Sequence, residues 1–126
     1  MHVGWRAEPE EHDYPAAGAY LSMLAPAALV DQLIAALRAA PTTHQKAKDI
    51  LRASGLRLLV RDNPHVAADL DKIKDGKPLS PVLLVRGSLT HGRALHIADG
   101  YHRVCASYHA DENTDIPCRL AAPDGP

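Results

Sequence analysis

The stretch Ile97-Ala98-Asp99-Gly100-Tyr101-His102-Arg103 concentrates the residues best able to do chemistry. An apolar run ends at Ala98, Gly100 permits a tight turn, and a helical pattern opens at about Tyr101. The first N–H groups of a helix lack intrahelical partners, and the aligned peptide dipoles place partial positive charge there. His102 and Arg103 add cation-capable side chains to that same first turn, which is locally unfavourable unless an anion compensates. A phosphate is the natural anion. It suits a helix N-terminus, Arg offers its oxygens a planar fork, and His donates or titrates near neutral pH. Two roles are open to Asp99. It would cap the helix and pair with Arg103 in solvent, or it would hold Mg²⁺ or accept a proton from a substrate hydroxyl, as carboxylates do in phosphoryl transfer.

The elements that must position this turn are readable in outline. Residues 1–15 carry Glu8, Glu10, Glu11 and Asp13 between prolines, which predicts a mobile acidic tail. Residues 16–55 predict an Ala/Leu-rich helical extension. In it Pro26 suits a first helical position, and Leu29, Val30, Leu33, Ile34 and Leu37 recur on one face. Thr42 and Gln45 fit a capping box opening a helix that runs through Ala53 to Gly55. Residues 56–121 read as a separate α+β pattern. Leu56, Leu58 and Leu59 are strand-like. Asp62-Asn63-Pro64 leads into a helix with Val66, Leu70 and Ile73 on one face. Pro81–Val85 and Ala94–Ala98 predict a hairpin. Residues 101–110 then predict a helix, and Ile116–Leu120 a last strand. Residues 122–126 predict a flexible end.

Composition narrows the classes of function. The chain has 126 residues, 46% apolar, with 14 basic and 15 acidic side chains. That length suits one domain. No apolar run reaches the ~18 residues of a membrane span, and the start lacks the basic-then-apolar order of a secretion signal, so a cytoplasmic location without membrane partners is expected. Cys105 and Cys118 are too few for a disulfide framework or a cysteine zinc site. A formal net charge of −1 gives no general pull toward nucleic acid. With no Phe, one Trp and four Tyr, an aromatic platform for single strands is not expected.

Residues 62–120, about half of the chain, resemble the ParB/sulfiredoxin-like superfamily. Sulfiredoxins carry a Gly-Gly-Cys-His-Arg turn between a strand and a helix, after a hairpin and before a strand beginning Ile-Pro. Here Asp99-Gly100-Tyr101-His102-Arg103 takes the place of the turn, Ile116-Pro117 that of the last strand, and Asn63-Pro64-His65-Val66 that of the family's Asp-Pro-x-Lys-Val helix start. The resemblance implies a small mixed sheet with helices and a site for nucleotide phosphates. His102 and Arg103 would bind phosphate, Gly100 would allow close backbone approach, and His65 would stand where the family has Lys. Mg²⁺ with ATP or CTP would be the cofactor pair, with Asp99 as the residue facing the metal or acting as base. Three departures matter. His65 is a weaker cation than Lys, Ala68 stands near a family Ser, and Tyr101 replaces the sulfiredoxin Cys. A Tyr does not attack as a thiolate does, so sulfiredoxin activity is excluded.

The resemblance therefore implies a domain that binds a nucleotide or another phosphate ligand, with phosphoryl transfer or nucleotide hydrolysis as the chemistry if the ligand is turned over. The alternative is a non-catalytic ParB-like interaction or DNA-associated module. The remaining motifs have simpler explanations. The eight histidines lack metalloprotease spacing. Lys46, Lys48, Arg52, Arg57 and Arg61 fit a solvated face. The apolar face within residues 20–37 would serve either as a homodimer seam or as a packing surface for the chain's own sheet. Cys105 and Cys118 fit buried thiols.

Overall fold

Val82–Val85 (β2) is buried at all four positions, which is what a continuous apolar run becomes when both faces of a strand are covered. It is an inner strand of a four-stranded mixed sheet, shown in a computed structural model that describes residues 1–123. His96–Asp99 (β3) pairs with it antiparallel and Asp115–Ala121 (β4) pairs parallel on its other side. Thr43–Lys46 (β1) lies antiparallel against the far edge of β4, giving the order β1-β4-β2-β3. Five helices complete the fold: Asp13–Leu21 (α1), Ala27–Ala39 (α2), Ala47–Ser54 (α3), Pro64–Lys74 (α4) and Tyr101–Ala110 (α5). The expected α+β class is the observed one.

Strand alternation sends successive side chains to opposite faces. Val82, Leu84, Ile97, Ile116 and Cys118 join a core completed by Ile50, Val66, Ile73, Val104 and Cys105 from α3, α4 and α5. Leu83, Val85, Ala98 and Ala121 join a second core with Tyr14, Leu21, Val30, Leu33 and Leu37 from α1 and α2. The α2 stripe thus packs on the chain's own sheet, the second of the two uses open to it. Each buried side chain of this kind stabilises by about 1.5–3 kcal/mol, so the stripe has a large intramolecular use.

Several local expectations change. Residues 3–14, read as a tail from their charge, are laid along the fold. Val3 is buried, Trp5 bridges Leu79, Arg6 N–H donates to Leu79 O at 2.8 Å, and Leu79 N–H donates to Gly4 O at 2.9 Å. Backbone pairing outweighs the repulsion of a few surface acids. Thr43–Lys46 is a strand rather than the start of a helix, because the edge of β4 offers unpaired backbone groups to an otherwise exposed polar segment. Residues 56–59 form no strand, and Leu56 and Leu58 are exposed. Pro26 caps α2 rather than opening it. The reading of 122–126 falls mostly on 124–126, which lie outside the described residues. Among the described residues no helix is long and apolar enough to cross a membrane.

Candidate functional site

Two helix starts meet at one end of the sheet. Asn63 caps α4, its side-chain oxygen accepting from the N–H groups of His65 (3.0 Å) and Val66 (3.2 Å), with Pro64 preset for the first turn. This fixes His65, Asp69 and Lys72 along one face of α4, at the three-and-four spacing that makes helical neighbours. The other start is the Gly100 turn. Gly100 is the N-cap of α5 with φ +113°, and no side chain caps that helix. A Cβ there would stand 2.5 Å from Val82 Cγ1 and 2.9 Å from Arg103 Nη2. Only glycine lets β3 turn into α5 this close to β2.

His65, Asp69, Asp99, Gly100, His102 and Arg103 all line one cavity of about 310 Å³. Every ligand-binding residue expected from the sequence is therefore on one wall. The His65 and His102 ring centroids lie 4.7 Å apart, with Tyr101 stacked beyond His102 at 5.8 Å. Burial lowers the pKa of the His102 imidazole, and the neighbouring His65 and Arg103 lower it further against the pull of Asp69.

Asp99 pairs with Arg103 as expected but does not cap the helix, and the pair is not in solvent. Gly100 takes the cap position, and the Asp99 carboxylate accepts from Arg103 Nη2 at 3.0 Å in a pair largely withdrawn from solvent. Burial raises the Asp99 pKa despite the opposing Arg103 charge, and the nearby Asp13 raises it further. Asp69 is raised by burial too, with Lys72, Arg103 and the two histidines opposing.

Asp13 and Ser80 are neighbours of the turn that sequence reasoning missed. Arg103 Nη2 also lies 3.7 Å from Asp13 Oδ2 and donates to Pro81 O at 3.4 Å, while its buried Nε has no hydrogen-bond partner. Ser80 Oγ donates to Asp13 Oδ2 and accepts the Glu10 N–H at 3.0 Å. Asp13 and Ser80 are 67 positions apart, a distance at which no local pattern carries a signal. Asp69 and Lys72 did carry one, their helical spacing from His65.

The other sequence candidates take no polar part in the cavity. Ala68 is on the cavity wall and has no polar atom to offer. Tyr101 donates its hydroxyl to Arg57 O at 2.6 Å, which braces α5 against the loop after α3. Cys105 and Cys118 are buried, and burial raises both thiols. Among the described residues, Glu10, His12 and Asp13 bring three potential metal-ligand atoms within 4.8 Å of one another. No protein-family model, curated protein or solved structure matches the chain.

Proposed function

We propose that this chain is a ParB/sulfiredoxin-like domain that binds the phosphate group of a small ligand, a nucleotide such as ATP or CTP, at the Gly100 turn. The observation that carries this reading is the uncapped N-terminus of α5, flanked by His65, His102 and Arg103 on the wall of one cavity. Unpaired helix N–H groups and the dipole favour an anion there. Arg103 joins this wall with a side chain held between Asp99 and the Pro81 carbonyl. The order hairpin, glycine turn, α5, then a strand containing Ile116-Pro117, supports the superfamily assignment.

A cavity of about 310 Å³ suits a phosphate group with its immediate attachment, so base and sugar would extend past the rim. Asp99 and Asp69 are the wall carboxylates that would hold a Mg²⁺ arriving with the nucleotide, and that ion would offset phosphate charge. If the phosphoryl group is transferred, Asp99 is the proton acceptor for the attacking hydroxyl, and Arg103 holds its carboxylate in place.

The test is a thermal-shift screen of ATP, CTP, GTP and ADP with Mg²⁺ on wild type, Arg103→Ala and His102→Ala. A ligand at a hundred times its Kd stabilises the folded state by about 2.7 kcal/mol. The expected result is a rise of several degrees with one nucleotide in wild type and little or none in either variant. No rise with any nucleotide at millimolar concentration would overturn the reading and leave an interaction module without a nucleotide.

A further inference from the structure

The N-terminal segment brings three donor atoms together beside the phosphate cavity. His12 Nε2 lies 3.1 Å from Glu10 Oε2 and 3.3 Å from Asp13 Oδ1. Ligands bound cis to one first-row divalent metal, at bond lengths of about 2.0–2.2 Å, stand about 3 Å apart. The spacing around His12 matches that of cis ligands, and all three donor atoms lie within 4.8 Å of one another.

Each carboxylate is held by its other oxygen. Glu10 Oε1 faces Arg6 Nη1 at 3.6 Å. Asp13 Oδ2 accepts from Ser80 Oγ and faces Arg103 Nη2 at 3.7 Å. Partners behind the outer oxygens orient the inner ones, as outer-shell groups do at metal sites. The inner oxygens, Glu10 Oε2 and Asp13 Oδ1, are left to one ring nitrogen. A single imidazole N–H has one proton for two acceptors, so a cation in its place would use all three lone pairs. Asp13 is held firmly, with 3% of its side chain exposed, while His12 is 77% exposed and reachable from solvent. Glu10 and His12 also line the cavity, so coordination positions not filled by protein would be open to it.

We infer that Glu10, His12 and Asp13 form a divalent metal site, selective for a first-row transition ion such as Zn²⁺ over Mg²⁺. One imidazole with two carboxylates is the donor set for that choice, since imidazole favours zinc and its neighbours while magnesium prefers oxygen alone. Three protein ligands leave room for water or a ligand oxygen. This inference stands on the geometry of residues 10–13 and does not rest on the phosphate reading.

The experiment titrates Zn²⁺ alone, without nucleotide, into the metal-stripped full chain by calorimetry. The variants are His12→Ala, Glu10→Gln and, as a control in the exposed loop after β2, His91→Ala. Wild type and His91→Ala are expected to take up one equivalent at the same affinity. His12→Ala and Glu10→Gln are expected to bind about tenfold or more weakly. Their melting temperatures without metal should stay within a degree or two, because both side chains are exposed or half-exposed. Replacing Zn²⁺ with Co²⁺ should give visible absorption bands that disappear in His12→Ala. Uptake unchanged in His12→Ala and Glu10→Gln, or no saturable uptake up to about 1 mM, would overturn the site.

Discussion

Arg52 and Arg103 each place Nη2 3.0 Å from an aspartate three or four positions earlier, Arg52 from Asp49 within α3 and Arg103 from Asp99 at the end of β3. As bond lengths the two pairs are the same. In setting they are opposites, because the Arg52 side chain is 83% exposed and that of Arg103 is 17% exposed. Elsewhere in the basic run Lys46 faces Asp115 and Arg61 donates to the His109 carbonyl, both from exposed positions. Water screens these contacts and they are worth little. At the Gly100 turn the same residue type is wedged between Asp99 and Asp13 against the Pro81 carbonyl, where an uncompensated charge is costly. Burial, not the presence of arginine or its distance to a carboxylate, separates a candidate site from a solvated face.

Breaking the backbone that makes the buried setting has the largest expected effect. Gly100→Ala puts a Cβ into Val82 at a φ that L residues rarely adopt. It should cost about 3 kcal/mol, seen in denaturant melts as a lower midpoint at unchanged slope. Ser80→Ala comes next. It strips a hydrogen bond from the buried Asp13 and leaves the Glu10 N–H unpaired, for about 2 kcal/mol by the same measurement.

The pH dependence is smaller and has a definite sign. His102 binds its proton less readily in the folded chain than in the unfolded one. The unfolded state therefore holds more protons just below the ordinary histidine pKa of about 6.5, and stability rises with pH across that window. The contribution is present above it and is lost as pH falls toward the lowered folded pKa. His102→Gln should flatten that part of a stability profile measured from pH 5 to 7.5, whereas raised Asp69 and Asp99 act at lower pH with the opposite slope. Smallest of all, Arg52→Ala should change stability by less than about 0.5 kcal/mol in the same melts. A loss as large as that of Ser80→Ala would mean that exposure does not separate the two regions.

Much of the scaffold around the site is legible in the chain. The run Pro81–Val85 reads as a buried strand, Asn63-Pro64 as a helix start, the 101–110 stretch as a helix and the glycine at 100 as a turn, and all are found within a residue or two. These signals are local. They come from the conformational limits of Gly and Pro, from a cap three residues from its N–H, and from apolar residues that recur within one or two helical turns. Local signals supply the elements that carry His65, His102 and Arg103, whereas the expectation that His65 joins the other two came from the resemblance alone.

The tertiary structure alone decided the rest. Thr43–Lys46 is polar and exposed, and it becomes a strand only because β4, about 70 positions later, lends it an edge. Residues 3–14 look like a loose acidic lead until Leu79 and Ser80 pair with them, and only then does Asp13 reach Arg103. A buried carboxylate, and the Glu10–His12–Asp13 face it completes, depends on partners distant in the chain. No property of neighbouring residues encodes the burial that makes such a contact strong.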